Sequence, residues 1–363
     1  MKEAYKCWLR YEELQANAAV KYRRQLQEIV VSGKSLVLQT AVKELSEGID
    51  KLLAIKPQIN HEPRSNHFIS VGTLDHFKAD LNSEETAKLE QEGFLIKLVN
   101  SDDTKNLIIT GLTDGGVLYG VFALLQIIQV NGCIERINLL SNPVNPIRMI
   151  NHWDNLDGSV ERGYAGRSIF YKDNQLTSNL SRVKDYARLL ASIGINAIAV
   201  NNVNVHNEET RLITDKLDMV IRLAEIFREY GIKVFVSINF ASPLSLGELD
   251  TADPCDGRVV EWWQKTADKI YQAIPDFGGF LVKADSENRP GPFNYNRDHT
   301  DGANMLAKAL EPYGGLLFWR CFVYNCQQDW RDYSTDRAKA AYDNFKPLDG
   351  KFNDNVILQI KNG

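Results

Sequence analysis

The sequence has few cysteines, and their arrangement argues against a disulfide framework. The 363 residues contain five cysteines, an odd number, and their spacing is not that of a zinc or iron–sulfur ligand set. So few cysteines at irregular intervals are typical of a protein from a reducing compartment. We therefore expect a cytoplasmic protein without structural disulfides. The cysteines are Cys7, Cys133, Cys255, Cys321 and Cys326.

Long hydrophobic runs and clusters of positive charge are also absent from the sequence. No stretch approaches the roughly 18 apolar residues of a membrane helix, and the start of the chain has no apolar core of a secretion signal. Lysine and arginine are dispersed, and the formal net charge is -5. Nucleic acids and anionic membranes attract concentrated positive charge. The sequence therefore predicts binding to neither.

The rhythm of short apolar runs divides the chain into two regions of an α/β protein. With 44% hydrophobic residues, a chain of 363 residues can form one to three domains. Residues 1–142 mix predicted helices and strands, which indicates an α+β N-terminal domain. The proline-punctuated link Asn142-Pro143-Val144-Asn145-Pro146 comes next. In residues 143–363, apolar strands alternate with amphipathic helices, as in consecutive βα units.

Six βα units are recognisable in residues 143–363, whereas a closed (β/α)8 barrel has eight. We therefore predict an incomplete (β/α)8 TIM barrel and interpret the chain as part of a longer protein. A natural open sheet of six units is the alternative. The predicted strands are 147–151, 197–200, 233–238, 279–282, 315–319 and 356–360.

Charged residues directly follow the fourth predicted strand. Lys283 and Glu287 stand there, and the carboxyl ends of barrel strands form the active site in this class of fold. Glu287 suits a general acid whose pKa is raised by burial against residues 290–293, although the nearby lysine would lower that pKa. The alternative for Glu287 is an ordinary ion pair with Arg289 or Arg297.

Further cations and an aromatic residue follow other predicted strands. Together with Lys283, Arg320 and Lys361 would place three positive groups at one barrel mouth, which predicts an acidic substrate. Each of them alone is more often part of a structural ion pair. Trp153 lies among amides and carboxylates, a composition that suits a sugar ring, although it would equally cap the barrel core. Three asparagines in 201–204 either bind hydroxyls or form Asx turns.

Five segments of the chain form long and specific motifs. They are Cys7-Trp8-Leu9-Arg10-Tyr11, residues 148–155, residues 161–171, residues 283–293 and residues 297–304. Together they resemble glycoside hydrolase family 67, the α-glucuronidases of xylan degradation, and the resemblance covers essentially the whole chain.

The resemblance implies an inverting hydrolase without a cofactor. Its substrate would be a xylooligosaccharide whose non-reducing end carries α-1,2-linked 4-O-methyl-glucuronic acid. The implied architecture is an α+β N-terminal domain, a central (β/α)8 barrel and a helical C-terminal domain that supports a homodimer. Glu287 matches the general acid, and Lys283 and Arg320 match residues that engage the uronic carboxylate. The positions that match substrate-binding residues are Trp153, Val203, Lys283, Arg320 and Lys361.

One half of the chemistry implied by the resemblance is missing from these residues. In the family, the carboxylates that activate water come after the position that matches Lys361. Inversion needs an acid on one face of the sugar and a base on the other, so we expect the 363-residue chain to be inactive alone. Two alternatives stay open. One is a non-catalytic carbohydrate-binding fragment, and the other is a lyase or isomerase of acid sugars that uses Lys283 as its base.

Overall fold

A computed structural model describes residues 4–101, 103–321 and 337–360, and these form two compact units. The first unit comprises Met1–Arg148, Ser181–Asn196 and Ile226–Ile232. The second comprises Met149–Leu180, Ala197–Glu225 and Lys233–Gly363. The domain boundary that we placed between residues 142 and 143 stays a prediction.

A six-stranded mixed sheet forms the centre of the first unit. Its strands are β1 (Glu28–Ser32), β2 (Gln58–Asn60), β3 (His67–Thr73), β4 (Phe94–Ser101), β5 (Thr104–Gly111) and β6 (Asn138–Ser141). Their order is β2-β1-β3-β5-β4-β6, and β4 runs antiparallel to both of its neighbours. The other pairs are parallel. This mixture confirms the predicted α+β character of the region.

The helices of the first unit include one that comes late in the sequence. They are α1 (Ala16–Arg23), α2 (Leu36–Leu53), α3 (Ser83–Thr86), α4 (Asp114–Gln129) and α5 (Ser181–Ser192). A buried ion pair joins α5 to α2, because Arg188 Nε donates to Glu44 Oε2 at 2.7 Å. The Tyr11 hydroxyl donates to Glu44 Oε1 at 2.7 Å. These charge-assisted hydrogen bonds explain why α5 packs with a unit that is distant in sequence.

The start of α2 gives a test of the fold. Ser35 has an extended backbone, and its Oγ accepts a hydrogen bond from the Leu38 N–H at 3.1 Å. We expect Ser35→Ala to lower the free energy of unfolding by about 1 kcal/mol, because a helix N–H loses its acceptor. Ser35→Asp should retain stability, since aspartate accepts the same bond. Urea denaturation measures both variants, and equal losses in the two would contradict the assigned cap.

A parallel sheet of six strands forms the second unit, in the order β7-β10-β11-β12-β13-β14. All five strand pairings are parallel, and an antiparallel pair, β8 and β9, lies outside this sheet. Six parallel strands in sequential order confirm the predicted incomplete barrel. The strands are β7 (Met149–Asn151), β8 (Tyr171–Lys172), β9 (Gln175–Leu176), β10 (Ala197–Ala199), β11 (Lys233–Ile238), β12 (Gly279–Val282), β13 (Leu316–Arg320) and β14 (Val356–Gln359).

Helices alternate with these strands and bury them. Trp263 of α9 packs edge-on against Phe280 of β12, with ring centroids 5.8 Å apart. β12 begins at Gly279, where φ is +133° and a Cβ would lie 1.9 Å from the Leu316 carbonyl oxygen, so only glycine permits this pairing with β13. The helices are α6 (Asn207–Thr210), α7 (Leu217–Arg228), α8 (Ser242–Leu246), α9 (Gly257–Ala273), α10 (His299–Leu310) and α11 (Arg337–Phe345).

Short 3-10 helices complete the described secondary structure. They are Ala4–Arg10, Leu74–His76, Arg211–Ile213, Pro292–Tyr295, Glu311–Tyr313 and Lys346–Leu348. Among the helices of the described ranges, none has both the length and the apolar character needed to cross a membrane.

Candidate active site

The register of the parallel sheet brings the polar ends of neighbouring strands to one edge. Ile238 of β11 pairs with Val282 of β12, which in turn pairs with Trp319 of β13. Lys283 and Arg320 therefore follow paired residues on adjacent strands. Because the strands are parallel, their side chains leave the sheet at its carboxyl end, where barrel enzymes carry their active sites.

The carboxylate of Glu287 is held between two cations. Lys283 Nζ donates to Glu287 Oε2 and also to Asn204 Oδ1, the latter at 2.6 Å. The other oxygen of Glu287 accepts from Arg162 Nη2 at 2.9 Å. Lys283 is only 5% exposed, whereas one third of the Glu287 side chain (33%) is open to solvent. The two predicted residues thus form one unit, with its carboxylate facing outward.

Both of the opposing effects expected at Glu287 are present. Burial raises the pKa of Glu287, but the hydrogen bond and charge of Lys283, followed by those of Arg162, outweigh it and leave the pKa below its ordinary value of 4.5. The carboxylate form is favoured because two cations contact it. The pKa of Lys283 is also lowered, because burial and the charges of Arg320 and Arg289 together outweigh the raising effect of Glu287.

The arginines considered from the sequence as partners of Glu287 make other bonds. Arg289 Nη1 donates to the Val205 carbonyl at 2.7 Å. Arg297 forms an ion pair with Asp253, with Nε and Oδ1 3.1 Å apart. Glu287 therefore pairs with Lys283 and Arg162, and not with Arg289 or Arg297, the partners considered for a purely structural role.

Trp153 and Arg320 lie together. The Arg320 guanidinium carbon is 5.3 Å from the centre of the half-buried Trp153 ring, within the range of a cation–π contact. The charge of Arg320 also acts on Lys283, whose pKa it lowers. Like charges in proximity are stabilised by an anion between them. The structure thus groups Trp153, Lys283, Glu287 and Arg320 on one side of the sheet, while their assigned roles stay predictions.

The three asparagines after β10 have different partners. Asn201 exchanges two hydrogen bonds with the Ser237 backbone, at 2.8 and 2.9 Å. Asn202 Oδ1 accepts from the Asn204 N–H at 2.9 Å, which is the Asx turn considered as the alternative. Asn204 instead orients Lys283. Structural bonds therefore occupy Asn201 and Asn202, and Asn204 alone of the three supports the ion pair of Lys283.

Of the remaining predicted residues, one is buried next to the site and one lies outside the described part of the chain. Val203 is 1% exposed and adjoins Asn204. Lys361 lies outside the described residues. Arg162 was not among our candidate site residues, because it comes ten or more residues after β7 and no spacing rule joins it to Glu287. Its only sequence signal was membership of the motif at 161–171.

A polar cavity of about 1140 Å³ opens beside Glu287. Glu161 lies in its wall with a side chain that is 11% exposed, and it receives a hydrogen bond from the Tyr164 hydroxyl at 3.3 Å. Amides, carboxylates and guanidinium groups suit the hydroxyl groups of a sugar. The cavity is lined by Asn155, Asp157, Ser159, Glu161, Arg162, Gly163, Asn174, Asn204, Val205, His206, Asn207, Glu208, Glu209, Asn239, Glu287, Asn288 and Arg289.

The turn that carries Glu287 has an unusual backbone. Asp285, Glu287 and Asn288 have φ values of 49°, 48° and 62°, in the left-handed region that side chains other than glycine rarely adopt. Such residues cost on the order of 1–3 kcal/mol each and persist where surrounding contacts hold them. Three strained residues therefore lie in the short segment that presents the candidate general acid.

A buried carboxyl group and an imidazole lie behind this turn. Asp285 is 2% and His299 1% exposed, and His299 Nδ1 is 3.9 Å from Asp285 Oδ2. Burial raises the pKa of Asp285 to about 6 and lowers that of His299 to about 4. The rings of Phe293 and Phe345 face His299 at centroid distances of 4.7 and 4.4 Å. Both groups are therefore neutral near pH 5.

Metal ligands are not grouped at this site. In residues 4–101, 103–321 and 337–360, no cluster of three or more histidine, cysteine, aspartate or glutamate side chains is arranged to hold a metal ion.

The second unit thus has a parallel βα sheet with a polar cavity and a carboxylate held between cations, at the end of the sheet where barrel enzymes carry their active sites. Residues 7–124 match the glycosyl hydrolase family 67 N-terminus, and residues 127–363 match the glycosyl hydrolase family 67 middle domain. The chain belongs to glycosyl hydrolase family 67.

Curated relatives agree with this membership. A probable alpha-glucuronidase A of Neosartorya fischeri is 44% identical over 361 residues, which are 98% of this chain and 42% of the relative. The alpha-glucuronidase A of Emericella nidulans is 42% identical over 370 residues, covering 98% of this chain and 43% of the relative. The chain thus spans less than half the length of these relatives.

Solved structures share the fold at low sequence identity. A family 115 4-O-methyl-alpha-glucuronidase with specificity for decorated arabinogalactans superimposes with a TM-score of 0.55 at 14% identity, covering 93% of this chain and 54% of that one. The chitobiase of Flavobacterium johnsoniae gives 0.50 at 14% identity, covering 94% and 56%. These likenesses support the architecture alone.

Proposed function

We propose that the full-length protein is an inverting α-glucuronidase that releases 4-O-methyl-glucuronic acid from xylooligosaccharides in xylan degradation. The observation that carries this proposal is the Glu287 carboxylate, held by Lys283 and Arg162 at the carboxyl end of β12. The relatives named alpha-glucuronidase A support it independently.

The distribution of charge supports an acidic sugar as the substrate. Lys283 and Arg162 pair with the Glu287 carboxylate, and the charge of Arg320 acts on Lys283, so a second anion entering beside Glu287 would have cations to bind. Arginine can hold a carboxylate through two parallel hydrogen bonds. Trp153 offers an aromatic face beside Arg320, and a pyranose ring has an apolar face that packs on such a surface. A uronic acid has both properties.

The ionised state of Glu287 has a consequence for the mechanism. A general acid must carry a proton when the glycosidic bond breaks, yet Lys283 and Arg162 favour the carboxylate in the ligand-free protein. A bound uronate would share these cations and add a negative charge beside Glu287. Both effects raise the pKa of Glu287. In this proposal, binding of the substrate causes Glu287, the acid catalyst, to become protonated.

Proton uptake on binding follows from this mechanism. At about pH 5.5, binding of glucuronate to the chain is expected to take up between zero and one proton, because Glu287 is ionised before binding and gains a proton afterwards. Titration calorimetry in buffers of different ionisation enthalpy measures the number. The Glu287→Gln variant is the control and should take up no proton at this site. Proton release by the unmodified chain would contradict the mechanism.

Hydrolysis of aldotetraouronic acid tests the function. The full-length protein should release the uronic acid with inversion, whereas the 363-residue chain should release none, because the family resemblance places the water-activating carboxylates beyond Lys361. Inversion places acid and base on opposite faces of the sugar. Hydrolysis by the 363-residue chain would contradict its expected inactivity. Failure of the full-length protein to hydrolyse the substrate would contradict the proposed function.

A lyase or isomerase reaction is the second candidate, and one observation favours it. Burial lowers the pKa of Lys283, as a catalytic base requires. The lyase or isomerase reaction fits less of the site, because the hydrogen bonds that Lys283 donates to Glu287 and Asn204 favour its protonated form, whereas a base must be unprotonated. We also propose a homodimer for the full-length protein, from the family resemblance, and a cytoplasmic location, from the few and irregularly spaced cysteines. Light scattering tests the dimer.

A further inference from the structure

The turn that presents Glu287 is closed by contacts at its base. The backbone N–H of Arg289 donates to the Ser286 carbonyl at 2.9 Å, and these two residues form an isolated antiparallel bridge. Glu287 and Asn288 lie at the tip between them, both with positive φ. The position of Glu287 depends on how the base of the turn is held.

Asp285 holds that base from inside the protein. Its carboxyl oxygen Oδ2 accepts a hydrogen bond from the Phe293 N–H at 3.3 Å, which joins the beginning of the turn to the 3-10 helix after it. The carboxyl group also fills the space above Gly291, where a Cβ would lie 2.3 Å from Asp285 Cγ. On its far side stands the buried imidazole of His299, at the start of α10.

We propose that Asp285 is a positioning residue for the reaction, which fixes the turn so that the Glu287 carboxylate lies against Lys283. The inference rests on the general-acid role proposed above for Glu287. Asp285 itself is directed into the core and is 2% exposed, so it has no access to a substrate. It acts through the backbone between residues 285 and 293. Without its carboxyl group, the strained residues at the tip would relax and Glu287 would move away from both lysine and substrate.

The leaving group distinguishes positioning of an acid from general damage. A xylose leaving group needs a proton from Glu287, whereas fluoride departs without one. In the full-length protein, Asp285→Ala should lower kcat on a glucuronosylated xylooligosaccharide by about 10- to 100-fold, since small displacements of a catalytic group have effects of this size. Hydrolysis of α-glucuronosyl fluoride should stay within about threefold. Asp285→Asn, which still accepts the Phe293 N–H, should restore the xylooligosaccharide activity.

A second measurement on the 363-residue chain is independent of activity. Carbon-13 NMR of labelled glutamate gives the pKa of Glu287, with Glu287→Gln identifying its signal. In Asp285→Ala this pKa should rise towards the ordinary value of 4.5, because the carboxylate leaves Lys283. In Asp285→Asn it should stay low. Gly291→Ala, whose Cβ would meet the same carboxyl group, should behave as Asp285→Ala and serves where that variant does not fold.

The outcomes separate the inference from the proposed function. A loss confined to the xylooligosaccharide, with a raised pKa of Glu287, supports the positioning role. Equal losses on both substrates, or an unchanged pKa of Glu287 in Asp285→Ala, overturn it. If the full-length protein hydrolyses neither substrate, the proposed function fails, and the pKa of Glu287 in the variants still decides whether Asp285 positions it.

Discussion

Replacing Glu287 by glutamine is expected to lower kcat of the full-length protein by about 10²- to 10⁴-fold on a glucuronosylated xylooligosaccharide. The substitution keeps the size of the side chain and one oxygen that accepts a hydrogen bond, but it removes the proton that the leaving xylose hydroxyl needs. The Michaelis constant should change little, because Lys283 and Arg162 remain in place to bind the uronate. Steady-state kinetics with a natural aglycone measures the effect.

The matched control is another glutamate away from the site. Glu261 is exposed on α9 and forms an ion pair with Lys265, with Oε1 and Nζ 2.6 Å apart. Glu261→Gln removes the same charge and should leave kcat unchanged. A Glu287→Gln enzyme that retains most of its activity would favour the lyase or isomerase reaction, in which Lys283 is the base.

Replacing Lys283 by methionine is expected to weaken binding of glucuronate by about 10- to 100-fold, the effect of losing one hydrogen bond to a charged group. Methionine fills a similar volume in a site where the lysine is 5% exposed, so the packing is largely retained. The neutral methyl ester of glucuronic acid should bind the variant and the unmodified chain about equally. Calorimetry with both ligands measures the difference.

The ratio of the affinities for glucuronate and for its methyl ester shows whether Lys283 binds the carboxylate. Lys265→Met, on the exposed face of α9, provides the control and should keep the full preference for the acid. The same Lys283→Met variant should raise the pKa of Glu287, because the main group that lowers it is gone. Undiminished preference for the acid in Lys283→Met would assign carboxylate binding to Arg162 and Arg320 instead.

Local sequence patterns were sufficient to predict the sheet of the second unit. β11 and β12 have the predicted bounds, 233–238 and 279–282, because each is an apolar run that ends sharply at polar residues or glycine. The short antiparallel pair of β8 and β9 was not predicted, since two residues are too few to show a period. The grouping of Lys283 with Glu287 also followed from position after one strand.

Long-range contacts set the properties that the sequence did not indicate. Arg162 reaches Glu287 from 125 positions away, and this contact adds to the effect of Lys283 in lowering the pKa of Glu287. Asp285 resembles its charged neighbours in sequence, yet it is the carboxyl group of this turn that is buried. Local patterns predict which strand end a residue follows, whereas its partners and burial depend on how distant loops meet.

The buried Asp285 and His299 have a consequence for how the fold responds to acid. In the unfolded chain near pH 5, aspartate is ionised and histidine carries the proton, since their ordinary pKa values are 3.8 and 6.5. In the folded protein the pKa values are about 6 and about 4, so the carboxyl group carries the proton and the imidazole is neutral. Folding thus passes one proton from nitrogen to oxygen.

Because of this exchange, unfolding near pH 5 changes neither the net charge of the pair nor the number of protons bound to it. The raised pKa of Asp285 alone would make stability fall as pH rises from about 4 to about 6, and the lowered pKa of His299 alone would make it rise from about 4 to about 6.5. Between about pH 4 and pH 6 both states hold about one proton on the pair, so the two slopes oppose each other there. A core that buries either group singly would be acid- or base-sensitive, whereas burying both leaves the support of the catalytic turn indifferent to mild acidity.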